Sequence, residues 1–246
     1  MLLAVPTALP RRGPPTKEPD MTPTRRHLLA ASGSALALAA ATPAWADARR
    51  QALVDDALVA ARNVINDKEF PEAVRNVARA KAIMIVPSMV EGGFILGASG
   101  GRGVLLTRSG PGNWSYPAFY AMGSGSIGLQ IGGKVSELVL ILLTDKGLEA
   151  LIDSKFKFGA GAGVTMVAVG AGVQAGTTTA AGADIVVFAR SQGLFAGASL
   201  EGSYVDPDND WNALYYGAGA TTRSVAIERR FTNPGAEPLR QFLARW

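Results

Sequence analysis

Apolar residues return at helical spacing where the patterned part of the chain begins. Leu53, Val54, Ala57, Leu58, Ala61, Val64 and Ile65 fall within roughly 140° of a helical wheel. Asp55, Asp56, Arg62 and Asn63 take the other side. The spacing predicts an amphipathic helix over 51–65. Two acids on its polar face set it apart from the basic helices that lie on membranes, which favours docking on a core. Pro71 and Glu72 suit the first turn of a second helix, about 71–80.

From Lys81 the period changes. Ala82–Val86 reads as a short apolar strand ended by Pro87. Gly92–Ala98 and Gly103–Thr107 flank a Ser-Gly-Gly-Arg turn and read as a hairpin. Ala118–Gly133 suggests further extended chain, with glycines where backbones approach closely or bulge. Leu138–Leu143 is continuously apolar, the pattern of a strand buried on both faces. Asp145–Ser154 reads as a helix with Leu148, Leu151 and Ile152 inward. Lys157 and Asp184 enclose 26 uncharged residues, long enough for a membrane span. That stretch holds seven glycines and four threonines. Each Gly costs about 1 kcal/mol against Ala in a helix, so glycine-rich paired strands are the better reading. Ile185–Phe188 and Leu194–Leu200 follow as strands, Pro207 and Asn209 mark a turn, and Pro238–Trp246 reads as a closing helix. These elements predict an α+β fold: an antiparallel, Gly-rich, barrel-like sheet with helices at both ends.

The segment before the first helix reads as an address. Arg25 and Arg26 precede an Ala-rich apolar run from Leu28 to Ala41, and Ala44-Trp45-Ala46 offers a small-residue cleavage site. The arginine pair resembles a twin-arginine export signal. The run is 14 residues, short of the roughly 20 a spanning helix needs. The expectation is a leader over 1–46, removed after Ala46, and one domain over 47–246 in the periplasm or outside the cell. Translation from Met1 or from Met21 stays open.

Cleavage changes the charge. The chain has 246 residues, with 24 basic and 20 acidic side chains. Five of the basic and two of the acidic ones lie in 1–46, leaving 19 and 18, a net charge of +1. Nucleic-acid binding thereby loses its electrostatic basis. The chain has no Cys, and its one histidine, His27, leaves with the leader. Ser-His and Cys-His catalytic pairs and His- or Cys-ligated metals are then excluded within one mature chain. No metal and no cofactor are expected.

Three enzyme-like motifs fail on context. Gly97–Gly101 matches the G-x-S-x-G elbow, which needs a His partner. Gly123–Gly128 matches G-x-G-x-x-G, but Leu129-Gln130-Ile131-Gly132-Gly133 is a poor start for the helix a dinucleotide needs. Gly128–Lys134 fits G-x-x-x-x-G-K, but Val135 replaces the hydroxyl that would hold Mg²⁺. Asp206-Pro207-Asp208-Asn209-Asp210 opens like a calcium loop, yet Trp211 and Gly217 stand where Gly and Glu are required. Asp145, Glu201 and Asp206 remain as carboxylates for a hydrolase, and nothing in their spacing selects a pair.

Five blocks carry a family likeness: Ala80-Lys81-Ala82-Ile83 through Gly92-Gly93-Phe94; Gly101-Arg102-Gly103-Val104-Leu105; Trp114-Ser115-Tyr116-Pro117 with Gly128-Leu129-Gln130-Ile131-Gly132; Ser136–Leu140; and the thirteen residues from Arg190 to Gly202. They resemble the SYLF domain, a lipid-binding family. The resemblance implies a non-enzymatic protein that binds membrane lipid, with anionic phospholipids as the bacterial counterpart of phosphoinositides. Some eukaryotic members engage actin, and no actin is expected for an exported chain.

Within that reading, the candidate lipid-binding residues are Lys81, Lys155, Phe156, Lys157, Phe158 and Arg190. Lys155–Phe158 alternates cation with aromatic, so a strand would put both Lys on one face and both Phe on the other. A solvated face over a core face explains the same alternation. Leu53, Val54, Leu58 and Ile65 are the candidate membrane-contact positions of the first helix. For Arg190, structural ion pairing competes with lipid contact; for Trp114 and Trp211, packing competes with headgroup anchoring. The rival readings are an envelope scaffold with a protein partner and a carboxylate hydrolase.

Overall fold

A computed structural model describes residues 42–93, 96–127, 132–152, 155–158, 163–169, 182–192, 200 and 202–246. The Arg25-Arg26 segment expected to be a leader, most of the Gly-rich stretch and residues 194–199 of the expected strand Leu194–Leu200 lie outside them. Two helices lead in: α1 (Thr42–Ile65) and α2 (Ala73–Arg79). The first begins at Thr42, not at 51, so the Ala44–Ala46 site falls within its first turns.

The strands then build one sheet. They are β1 (Ala82–Gly93), β2 (Leu96–Gly110), β3 (Asn113–Trp114), β4 (Ala118–Ile127), β5 (Gly132–Leu142), β6 (Phe156–Lys157), β7 (Val164–Val169), β8 (Ile185–Gln192) and β9 (Tyr204–Pro207). The order is β6-β9-β4-β2-β1-β5-β8-β7, with β3 paired to β2 outside that path. All pairings are antiparallel except β7 with β8, which run parallel. Among the described residues β6 and β7 stay unpaired with each other, and the sheet is a curled half-barrel.

Period-two alternation sorts the strand residues onto two apolar layers. On the first face Ile83, Ile85, Val104, Phe119, Val139 and Phe188 meet Val54, Ala57, Ala61 and Val64 of α1 and Val77 of α2. The closing helix α5 (Glu237–Leu243) adds Leu239, Phe242 and Leu243 to the same layer. On the second face Met84, Leu105, Tyr120, Leu138, Leu140 and Val187 meet Leu151 and Ile152 of α3 (Asp145–Ile152). Val225 and Ala226, from a π-helical turn over Arg223–Ile227, close that layer. Burying each such side chain is worth about 1.5–3 kcal/mol. Over Leu138–Leu142 β5 is therefore buried on both faces, as its apolar run predicts.

Pro87 does not end β1. It sits where the register of β1 shifts against both neighbours, between Ile85 and Ser88 toward β2 and between Val86 and Met89 toward β5. A bulge leaves a residue unpaired, which suits a residue with no N–H. Nor do Ser99–Arg102 form a turn; they lie inside β2. Their glycines answer the bulge instead. A Cβ on Gly101 would stand 2.6 Å from the Ser88 carbonyl oxygen, and one on Gly103 2.6 Å from that of Ile85. The Gly-Arg-Gly spacing thus lets two backbones approach on either side of Arg102.

One helix is missing from the pattern reading: α4 (Asn209–Tyr216). Asp208 caps it, accepting from the Trp211 N–H at 3.1 Å. The turn expected at Pro207 and Asn209 is the entry to this helix. Among the described residues no helix is long and apolar enough to cross a membrane.

Candidate functional site

The Lys-Phe alternation starts at the sheet's edge. β6 pairs β9, with Phe156 opposite Val205 and Lys157 opposite Tyr204. Phe156 and Phe158 turn into the second core layer, where their rings meet edge to face at 5.1 Å. Lys155 and Lys157 are exposed on the first-face side. The Lys155 ammonium stands 3.6 Å above the centroid of the Tyr204 ring, a cation–π contact worth about 0.5–1 kcal/mol at an exposed site. Among the described residues neither lysine has a carboxylate partner. The alternation is as the sequence suggests, but the two phenylalanines anchor the edge strand and leave the surface to the lysines and Tyr204.

Arg190 lies on the same face, at the far side of the sheet. Its guanidinium pairs with Asp67 at 3.3 Å and with Glu137 at 3.5 Å. Glu137 also accepts from the Asn63 amide at 2.8 Å. Arg190 therefore ties the end of α1 to β5 and β8, and its charge is balanced where it stands. Lys81 is at the opposite end of the strands, paired to Asp145 at 3.2 Å on an exposed surface. The structure brings Lys155, Phe156, Lys157 and Phe158 together and separates them from Lys81 and Arg190.

The four positions of α1 are used for docking. Val54 and Ile65 are buried, and Leu53 and Leu58 are half-buried against the same core. Small residues at Ala57, Ala60 and Ala61 let the helix lie close to the sheet. Gln51 holds the helix from its polar side, donating to the Gly235 carbonyl at 2.9 Å and accepting from the Tyr215 hydroxyl at 2.8 Å. Membrane contact through these four residues would require α1 to undock.

The aspartate-rich loop before α4 is structural in its central residue. Besides capping the helix, Asp208 takes the Arg102 Nε at 3.2 Å. The Arg102 guanidinium in turn stacks 4.3 Å from the centroid of Trp211. Trp211 packs against the first core and Trp114 is buried, donating to the Leu243 carbonyl at 3.0 Å. Of the hydrolase carboxylates, Asp145 is held by Lys81, Asp206 lies on β9, and Glu201 is outside the described residues. No group of three or more metal-ligating side chains gathers among the described residues.

Two carboxyl groups are held below their usual range. The Thr144 hydroxyl, then the Gly163 N–H, then Lys146 lower that of Asp184. The Tyr116 hydroxyl bonds Glu237 and lowers it, with Arg240 adding to the effect. Both groups brace loops and the closing helix, away from the lysine edge.

The sequence reading missed Tyr204, which the β6–β9 register sets beside Lys157. It also missed Val90 and Val135, two exposed apolar side chains directly opposite each other on β1 and β5. Partners so far apart in the chain leave no local signal.

A family model described as Ysc84, Las17-binding protein actin regulator, matches residues 123–246. The chain belongs to the Ysc84 family. This agrees with the SYLF resemblance of the motif blocks. Among its relatives, Protein YSC84 of Saccharomyces cerevisiae is 29% identical over 180 residues, covering 72% of this chain and 38% of that protein. LAS seventeen-binding protein 3 of the same yeast is 30% identical over 176 residues, 70% of this chain and 38% of its own length. The human SH3 domain-containing YSC84-like protein 1 is 32% identical over 151 residues, 61% of this chain and 43% of its own. The chain thus spans about two-fifths of the length of these Ysc84 relatives.

Proposed function

We propose that this Ysc84-family chain is an exported, non-enzymatic protein that associates with anionic phospholipid of the cell envelope. The observation that carries the reading is the lysine edge. Lys155 and Lys157 stand exposed, Lys157 in register with Tyr204 and Lys155 over its ring, with no carboxylate partner among the described residues. Lys81, Arg102 and Arg190, by contrast, are each paired to an acid. Each lysine at an anionic surface contributes about 1 kcal/mol. The aromatic ring beneath Lys155 suits the water–lipid boundary. The leader-like segment before Ala46 supports export, and the lipid partner follows from the family resemblance of the motif blocks.

Flotation of the purified chain with phosphatidylglycerol and with phosphatidylcholine vesicles, at low and high salt, tests the reading. Flotation with phosphatidylglycerol only, weakened by salt, is the expected result. Lys155→Glu with Lys157→Glu should then lower the affinity by at least about tenfold. Flotation that ignores both headgroup and salt would replace the electrostatic reading with insertion. No flotation in any condition would overturn it. Export is tested apart: continued export in a strain lacking the twin-arginine translocase would remove that route.

The name of one relative, LAS seventeen-binding protein 3, and the family's description as Las17-binding favour a second reading, a scaffold for a protein partner. It predicts specific capture of an envelope protein together with indifference to vesicles. An exported chain does not meet actin, so no actin contact is proposed; co-sedimentation with actin filaments would reverse that.

A further inference from the structure

The strand register sets a row of first-face residues across the sheet. Lys157 pairs Tyr204, Tyr204 pairs Gly123, Gly123 pairs Gly100, Gly100 pairs Val90, and Val90 pairs Val135. The row lies beyond the polar line of Arg102, Glu137 and Arg190, and so beyond the layer that α1 covers. Its surface is apolar and low. A Cβ on Gly100 would meet only the Met122 carbonyl oxygen, at 3.9 Å. Val90 is 53% exposed and Val135 45% exposed. At the Gly123 end, Tyr204 lies over the glycine, its hydroxyl oxygen 3.0 Å and its Cζ 3.1 Å from where a Cβ would be. The Lys155 ammonium stands on that ring.

The next row outward holds only small residues: Gly125, Ala98, Gly92 and Gly133 are in register. The strand positions between the two rows hold Ser124, Ser99, Glu91 and Lys134. An exposed sheet row of glycine and valine is the pattern of a side that meets an apolar partner. Here that side carries no helix of this chain among the described residues, and two cations stand at its edge.

We propose that this trough binds one acyl chain of an anionic phospholipid, with the headgroup at Lys155 and Lys157. The proposal rests on the lipid reading above and deepens it, from contact with a surface to capture of a single molecule. Charge complementarity selects the occupant. The cations sit at one end of an otherwise uncharged row, as head and tail of an amphiphile require. Length agrees as well. Four inter-strand steps from Tyr204 to Val135 span about 19 Å, enough for the roughly 15 Å that a chain occupies in half a bilayer core.

Extraction from vesicles tests this. The probe is phosphatidylglycerol carrying a pyrene-labelled acyl chain, self-quenched into excimers in vesicles and emitting as monomer once removed. The purified chain should raise monomer emission. Gly100→Gln, placed over open space, should slow extraction by about tenfold, the effect of losing roughly two buried methylenes, while flotation is unchanged. Val90→Ser with Val135→Ser carries the test if Gly100→Gln does not fold. Lys155→Glu with Lys157→Glu should lower extraction and flotation together. Flotation without extraction would overturn the trough and leave surface binding standing. Neither flotation nor extraction would overturn both. Extraction untouched by the Gly100 and valine variants would place the lipid elsewhere, and uptake of pyrene-labelled fatty acid without the phospholipid would reject a headgroup site.

Discussion

The central strands run without a break from a packed half of the sheet into an open half, and the boundary is the Pro87 bulge. On the packed side β1, β2, β4, β5 and β8 carry large apolar residues on both faces, with helices or helical turns over each. On the open side the same strands carry Gly92, Gly100 and Gly123, and the valines that remain are half in water. Backbone pairing continues through both. What differs is side-chain volume, and with it the share of stability each half supplies. A strand anchored at one end by its core can hold its other end extended without a core of its own. That leaves a preformed surface where removal of side chains costs the fold little.

Single substitutions can break this contrast. Phe188→Ala empties the packed half, where its ring meets Phe70 edge to face at 5.3 Å, and should cost about 3–5 kcal/mol in urea unfolding. Val90→Ala in the open half should stay within about 0.5 kcal/mol. Similar losses at the two sites would erase the difference between the halves. Glycines sharpen it next. Gly103→Ala drives a methyl against the Ile85 carbonyl and should cost about 1–3 kcal/mol, whereas Gly100→Ala meets open space and should be nearly neutral by the same melts. Asp208→Ala removes the α4 cap and the Arg102 partner; about 1 kcal/mol is expected, read as a lower urea midpoint.

The smallest effect is a pH dependence in the packed half. The Tyr116 hydroxyl, helped by Arg240, holds the Glu237 carboxyl below its ordinary value. A lowered carboxyl contributes stability above the unfolded value of about 4.3 and loses it as the pH falls through the folded value. The melting temperature should therefore drop as the medium is acidified below that range, and Glu237→Gln should flatten part of the drop. An equal drop in the variant would take Glu237 out of the account.

Local patterns were readable where one residue's neighbours in sequence are also its neighbours in space. The docked face of α1, the doubly buried run of β5 and the Lys-Phe alternation of β6 all follow from periods of 3.6 or 2. Pro87 and Ser99–Arg102 misled because proline and glycine signal both a turn and a bulge, and only the partner strand tells which. α4 was hidden because its start, Asp208, also reads as a turn residue. Arg190 was legible as an ion-paired or lipid-facing cation; Asp67, Glu137 and Asn63 decide its surroundings, and they come from three separate stretches.

Composition and short-range periodicity suffice for the α+β class and for the absence of cysteine and of any histidine but His27; the family resemblance rests on contiguous motif blocks. Cross-strand register is different. Nothing near Val90 in the chain points to Val135, and nothing near Lys157 points to Tyr204 or Gly123. Those pairings are set by which strands share a core and by a one-residue shift at Pro87, since a slip of one residue exchanges the two faces of a strand. The lysine edge, the glycine floor and the two valines become one surface only when the packed half has fixed that register.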